Sequence, residues 1–211
     1  MLAAFMSSAT LFAQSLVVGL SIAAPVGPIG LLVIQRTVQR GATVGLATGL
    51  GAAAADACYG AVGAFGVTSL IGALTRARAP LALFGGGFLL WLAWRTWRSA
   101  PATRVAAVQG RAGLISAFAG TFLLTLSNPA TIFSFIAVFG ALAARGAPSS
   151  PWPMIAGVLA GSALWWLALS AVVGRLRRRF DAGMQRVVNR ASAILLAAFA
   201  LWQWATLGGI A

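Results

Sequence analysis

The sequence predicts an all-α integral membrane protein with six transmembrane helices, arranged as an inverted 3+3 repeat with broken first and fourth helices. Three observations predict this fold class. The 211-residue chain is 60% hydrophobic and only 8% charged. Several of its apolar runs reach the roughly 20 residues that a helix needs to cross a bilayer. Two of these runs are interrupted near their centres by proline, at 25–28 and 128–129, which lipid tolerates only where protein or a cavity satisfies the backbone.

The six predicted spans follow one another with short connections. They cover residues 9–35, 42–68, 80–97, 113–142, 152–174 and 191–209. Little chain remains for an extramembrane domain, so 1–211 is predicted to be a single membrane domain.

The spans divide into two halves of three. Residues 1–98 would form the first three-helix half and residues 111–211 the second. A three-span unit that is used twice enters the membrane in opposite directions, so the repeat has to be inverted. The same spacing of nine residues separates Gly19 from Pro28 and Gly120 from Pro129, which places the two breaks at matching positions.

Arginine accounts for all 15 basic residues, against two acidic ones. The first, third and fifth loops hold 2 + 4 + 6 = 12 of them, and the second and fourth hold 2 + 1 = 3. The positive-inside rule therefore predicts that the odd loops are cytoplasmic and that both termini lie outside. Anionic membrane lipids are the expected partners of these loops. Nucleic acid is not, because a basic patch that binds it needs a soluble face.

The composition excludes several kinds of chemistry. Cys58 is the only cysteine and there is no histidine. An intramolecular disulfide is therefore ruled out, and the ligand clusters that transition metals prefer are missing. No nucleophile–base pair is visible. We accordingly expect no metal, no cofactor and no enzyme activity.

Each proline break predicts the start of a half-helix inside the bilayer. Proline fits best at the first position of a helix, so Gly27 is read as a cap before Pro28, and Asn128 as a cap before Pro129. Such starts leave free N–H groups and a partial positive charge. Together the two breaks predict a binding site for a carboxylate. The alternative is a simple kink, which is the preferred interpretation for Pro25 taken alone.

Asp56 is the only acidic residue within a predicted span. A charged carboxylate at the centre of a bilayer costs about 3 kcal/mol on insertion scales, so it needs water, a partner or a proton. It is predicted to carry a coupled proton or to bind the ammonium of a solute, the alternative being a structural hydrogen bond. Tyr59 lies three residues later on the same face and is a candidate hydrogen-bond donor for the solute.

Other residues have structural interpretations. Gln35 and Arg36 end the first span and are interpreted as boundary residues. Trp165 and Trp166 are interpreted as lipid-facing or packing residues rather than cavity walls. Gly157 and Gly161 stand four apart and predict close contact between helix backbones. That contact could form within one chain or between two, so a homo-oligomer stays open.

Two stretches carry a resemblance to a known family. The first is GLSIAAPVGP at 19–28, which is followed by Gly41, Gly45 and Gly49 and then by Asp56 and Gly63; the second is LSNPATIFSF at 126–135. In this order, and over nearly the whole chain, these motifs resemble those of the LysE/RhtB family of amino-acid exporters. The second stretch is similar to the family's NPK-containing stretch, with Ala130 in place of the family's lysine. The family's usual Pro-Gly-Pro also has a different spacing here.

The resemblance implies a multi-pass protein of the bacterial inner membrane that exports amino acids or related small metabolites, driven by the proton gradient. The missing lysine removes a cation that could hold a carboxylate. Neutral solutes are favoured over cationic ones, since only one acid is available in the spans. The rival functions are an uncoupled channel, a scaffold subunit and, with less support, a membrane-embedded enzyme.

Overall fold

The computed structural model describes residues 2–25, 27–65, 78–98, 110–128, 131–132, 134–135, 150–177 and 182–207. Within these ranges the backbone forms seven helices and no strand. The helices are α1 (Leu2–Ala23), α2 (Pro28–Arg40), α3 (Ala42–Ala64), α4 (Arg78–Trp97), α5 (Arg111–Leu126), α6 (Trp152–Leu176) and α7 (Ala182–Leu207).

The first predicted span is broken where the prolines predict it. Helix α1 ends at Ala23, Gly27 has an extended backbone, and α2 begins at Pro28. The prediction that Gly27 caps a helix starting at Pro28 is confirmed. The segment from Ser8 to the end of α1 is bent by 77° from α2.

The second break falls at the end of α5. This helix stops at Leu126, and the Asn128 N–H donates to the Thr125 carbonyl oxygen at 3.1 Å. A helical bond then runs from the Ile132 N–H to the Asn128 carbonyl oxygen, also at 3.1 Å. Pro129 and Ala130 lie outside the described residues, so a helix start at Pro129 stays a prediction.

Helix α6 packs against α1, α2 and α3, while α3 also packs against α5, and α4 packs against α7. The predicted close approach at Gly157 and Gly161 is confirmed, because a Cβ at either position would overlap α1 backbone atoms of Phe12 or Leu16. The turn between α2 and α3 is formed by Gly41, whose φ of 101° is a conformation that glycine adopts without strain.

Two side-chain hydrogen bonds join the first and fifth connections at one end of the molecule. Gln39 Nε2 donates to Asn189 Oδ1 at 2.9 Å, which links the end of α2 to α7. Arg177 Nη1 contacts the Thr37 carbonyl oxygen at 3.5 Å, which links the end of α6 to α2. At the opposite end, Trp204 Nε1 donates to the Ala82 carbonyl oxygen at 3.1 Å.

By length and apolarity, α6 is the one helix of the described ranges that could cross a membrane alone. The bent pair of α1 and α2 meets the same criterion when it is counted as one segment. The shorter α5 is apolar but stops at the second break.

Candidate functional site

One cavity of about 320 Å³ joins the two helix breaks. Its wall includes five residues that the sequence predicted for a site: Pro25, Gly27, Pro28, Asp56 and Asn128. The structure therefore brings together residues that are up to 103 positions apart in the chain (128 − 25).

The first break offers backbone donors to this cavity. Gly27 has no side chain with which to cap α2, and no side-chain cap bond is made. The first helical hydrogen bond at this end runs from the Leu31 N–H to the Gly27 carbonyl oxygen at 3.0 Å. The N–H groups of Ile29 and Gly30 precede it, and both residues line the cavity. They are the donors that a helix start leaves without intrahelical partners.

The second break contributes polar side chains. Thr125 lies in the last turn of α5, and Asn128 follows the helix end. Thr131 and Ser134 have helical backbone and stand three residues apart, which places them on one helix face. All four residues line the cavity, so this wall offers hydroxyl and amide groups.

Asp56 supplies the only charge among the described lining residues. Its side chain is 3% exposed. Ser162 Oγ donates to Asp56 Oδ2 at 2.7 Å, and Trp166 Nε1 donates to Ser162 Oγ at 3.1 Å. This chain of hydrogen bonds orients the carboxylate from α6, and the described residues supply no partner to Oδ1.

Tyr59 is not among the residues that line the cavity. Its hydroxyl donates to the Leu126 carbonyl oxygen at 2.6 Å, and its ring stacks on Phe135 with centroids 5.4 Å apart. Leu126 ends α5, so its carbonyl would otherwise lack an intrahelical partner. The structure thus places Tyr59 as a brace for the second break rather than at the cavity wall.

The structure changes two interpretations from the sequence. Trp166 is 3% exposed and belongs to the main core cluster, as its interpretation as a packing residue predicts, but it also lines the cavity, which that interpretation disfavoured. Gln35 and Arg36 do not end a helix, because α2 continues to Arg40, and Gln35 is 5% exposed and exchanges hydrogen bonds with Thr96, at 2.9 and 3.1 Å. Ser162 gave no signal in the sequence, because a serine within an apolar helix is common and its partner lies 106 residues away.

A mostly apolar cavity with a few polar groups, enclosed by broken and closely packed apolar helices, is the arrangement found in membrane transporters. Comparison with known proteins agrees. The chain belongs to the LysE type translocator family, whose sequence profile matches residues 20–203. It is therefore a membrane transport protein and not an enzyme.

Three curated relatives illustrate the membership. The chain is 31% identical over 180 residues to "Uncharacterized membrane protein YahN" of Escherichia coli (strain K12), covering 81% of this chain and 78% of that protein. It is 25% identical to "Putative amino acid efflux protein YcgF" of Bacillus subtilis (strain 168), covering 91% and 94%. It is 30% identical to "Chemotactic transduction protein ChpE" of Pseudomonas aeruginosa, covering 78% and 84%. No solved structure matches the chain significantly.

Proposed function

We propose that this protein is a secondary active transporter that exports amino acids or related small metabolites across the bacterial inner membrane by proton antiport. The observation that carries the proposal is the convergence of Asp56 and both helix breaks on one cavity of about 320 Å³. The name of the Bacillus subtilis relative, which refers to amino acid efflux, supports the same solute class.

The helix breaks would bind the carboxylate of the solute. Ile29 and Gly30 line the cavity at the positive end of the α2 dipole, where their N–H groups lack intrahelical partners. Asn128 and the helical turn after it face the same space from the second half. Backbone donors of this kind bind an oxyanion without a basic side chain, which fits the absence of the family's lysine at Ala130.

Asp56 would bind the solute's ammonium group or carry the coupled proton. Ser162 occupies Oδ2, which leaves Oδ1 for either ligand. A carboxylate held away from water binds a proton more readily than one in solution, because its charged form loses hydration. Competition between a proton and a solute ammonium for the same oxygen would couple the two movements in opposite directions.

The size of the cavity suits a small solute. About 320 Å³ corresponds to roughly ten water molecules at about 30 Å³ each. Asp56 on the wall can neutralise one ammonium group, and the helix breaks can bind one carboxylate, so the two charges of a neutral amino acid would both have partners. A cationic amino acid would bring a second positive charge without a partner.

For the fold we propose six spans with the inverted repeat, in which α1 and α2 form the first span and α5 with the turn after Asn128 begins the fourth. The hydrogen bonds that join the first and fifth connections at one end support this topology. By the positive-inside rule that end would be cytoplasmic and both termini would lie outside. Anionic lipids would contact the arginines at that end. The helix faces that carry glycine could also pack between two copies of the chain and form a homo-oligomer.

Counterflow in proteoliposomes tests the transport proposal. Proteoliposomes that contain the purified protein are loaded with unlabelled neutral L-amino acids. Uptake of a carbon-14-labelled mixture of the same amino acids is then measured with and without an imposed pH gradient. We expect uptake that exceeds equilibrium and responds to the gradient. Uptake that only equilibrates and ignores the gradient would indicate a channel, and no uptake would indicate a scaffold.

Asp56→Asn tests the coupling. The variant keeps the side chain's shape but holds no titratable proton, so we expect loss of the response to the pH gradient. Cys58→Ser is the matched control, because Cys58 is exposed and lies on the same helix outside the cavity wall. A fully active Asp56→Asn variant with an unchanged pH response would refute the coupling role.

A further inference from the structure

A second cavity, of about 430 Å³, lies toward the C-terminal end of α2 and is lined by α2, α4 and α5. Three arginines line it, Arg36, Arg40 and Arg95, and no acidic residue appears among its described lining residues. We call it the basic cavity. It shares no described lining residue with the cavity at the breaks.

Arg36 is built into the wall of this cavity. Its Nη1 atom donates to Thr48 Oγ1 at 3.1 Å, to the Ala117 carbonyl oxygen at 3.1 Å and to Thr121 Oγ1 at 3.2 Å. These acceptors belong to α3 and α5, so the Arg36 guanidinium connects α2 to both of these helices. All three acceptors are neutral, and the described residues supply no partner to Nε or Nη2. A half-buried cation held only by neutral groups favours a negatively charged ligand.

The wall of the basic cavity that α4 forms also carries a group that can bind an anion, Arg95. Thr96 and Gln35 exchange two hydrogen bonds, which fix α4 against α2 beside the arginines. The Arg95 guanidinium lies over the ring of Trp91, 5.3 Å from its centroid, and Trp91 lines the same cavity. Stacking on an aromatic face restricts a guanidinium while its N–H bonds stay in the guanidinium plane. Three cations within one concave surface concentrate anions near it.

The two cavities succeed one another along α2. Pro28, Ile29 and Gly30 line the cavity at the breaks, and the lining of the basic cavity begins at Leu32 and includes Arg36. Leu32 and Val33 are buried in the main core cluster. From Pro28 to Arg36 is eight residues of α2, or about 12 Å at the helical rise of 1.5 Å per residue. A solute that moves along α2 would therefore meet the two cavities in succession.

We propose that the basic cavity is a second binding site, which takes the carboxylate of the exported solute before the solute reaches the cavity at the breaks. The identity of the anion as a solute carboxylate rests on the proposed function; the existence of an oxyanion site does not. Under the proposed orientation the site faces the cytoplasm, where export begins. The two cavities would then bind different groups of the solute. The basic cavity would bind the carboxylate first, and the solute would meet Asp56 only in the cavity at the breaks.

Fluorine NMR of trifluoroacetate tests the site without any transport step. Trifluoroacetate is a carboxylate probe, and trifluoroethanol is a neutral control of similar size. With detergent-solubilised wild-type protein, we expect line broadening of trifluoroacetate but not of trifluoroethanol. Arg36→Gln and Arg95→Gln should each weaken trifluoroacetate binding about tenfold, the usual scale for one charge-assisted hydrogen bond.

Arg98→Gln is the matched control. Arg98 carries the same charge and lies over Trp94, 3.9 Å from the ring centroid, but it does not line the basic cavity. We expect this variant to bind trifluoroacetate as the wild type does. Because Arg36 joins three helices and its variant could unfold, Arg95→Gln serves as the second test. Equal binding by wild type, Arg95→Gln and Arg98→Gln would overturn the proposal.

Two further arms identify the source of the anion. If phosphatidylglycerol displaces trifluoroacetate and phosphatidylcholine does not, the site holds a lipid phosphate, and the assignment to a solute carboxylate is wrong. If the neutral amino acids of the counterflow assay displace trifluoroacetate from wild type, the assignment is supported. Trifluoroacetate binding without counterflow would support the oxyanion site and refute the proposed transport function. Counterflow without trifluoroacetate binding would do the reverse, so failure of one proposal can be told from failure of the other.

Discussion

Removal of the Tyr59 hydroxyl, by Tyr59→Phe, should destabilise the protein without changing how it binds solute. The hydroxyl donates to the Leu126 carbonyl oxygen at 2.6 Å. A net hydrogen bond contributes about 1 kcal/mol, and a buried carbonyl left without a partner costs about 1–3 kcal/mol. Phenylalanine retains the stacking on Phe135, so the ring contributes no further loss. We expect a decrease of about 2 kcal/mol in the free energy of unfolding.

Thermal unfolding in detergent, followed by tryptophan fluorescence, measures this loss. For a chain of this size about 2 kcal/mol corresponds to a decrease of about 4–8 °C in the melting temperature. Ser127→Ala is the matched control, because its hydroxyl donates to carbonyl oxygens of the same helix end, at 2.7 and 3.2 Å, beside solvent-exposed atoms. That change should cost less than about 0.5 kcal/mol. An unchanged melting temperature combined with lost counterflow would refute the bracing role and would place the hydroxyl on the solute.

Two further predictions concern packing and orientation. Gly161→Ala adds a Cβ that overlaps the Leu16 carbonyl oxygen, so overpacking should lower the free energy of unfolding by about 1–3 kcal/mol in the same thermal assay. Gly87→Ala is the control: its Cβ meets nothing within 4 Å, so this variant should be as stable as the wild type or more stable. In a cysteine-free background, Arg98→Cys should react with a membrane-impermeant maleimide only from the cytoplasmic side and Trp152→Cys only from outside; labelling of both from one side would contradict the proposed topology.

The first break was predictable because its cause is local. Proline has no N–H and fixes its own φ, so Pro28 determines where α2 begins whatever lies around it. Asp56 was predictable as a site residue for a similar reason, since a carboxylate in an apolar span is costly in any fold. Its position on the cavity wall beside both breaks depends on how the helices pack, and that came only from the structure.

The residues that sequence reasoning missed depend on distant partners. Ser162 and Trp166 become part of the site through α3, whose Asp56 lies more than a hundred positions earlier. Arg36 resembled a boundary charge because an apolar run stops there, yet the helix continues to Arg40 and packs against α3, and the Arg36 side chain donates hydrogen bonds to α3 and α5. Hydropathy locates the apolar part of a helix rather than its ends.

The last helix illustrates the same limit. The apolar run predicts a span from residue 191, whereas α7 begins at Ala182. The additional turns carry Arg186, Arg190 and Asn189, which face the basic end of the molecule, where Asn189 accepts a hydrogen bond from Gln39. These polar residues are helical because they continue a packed helix, and composition alone assigns them to a loop.

An experimental structure with a transported amino acid bound tests the central claim most directly. We predict that the solute lies in the cavity at the breaks, with its carboxylate within hydrogen-bond distance of the Ile29 and Gly30 N–H groups and its ammonium beside Asp56. A solute found elsewhere, with α1 running unbroken into α2 and Asp56 facing the acyl chains, would contradict it.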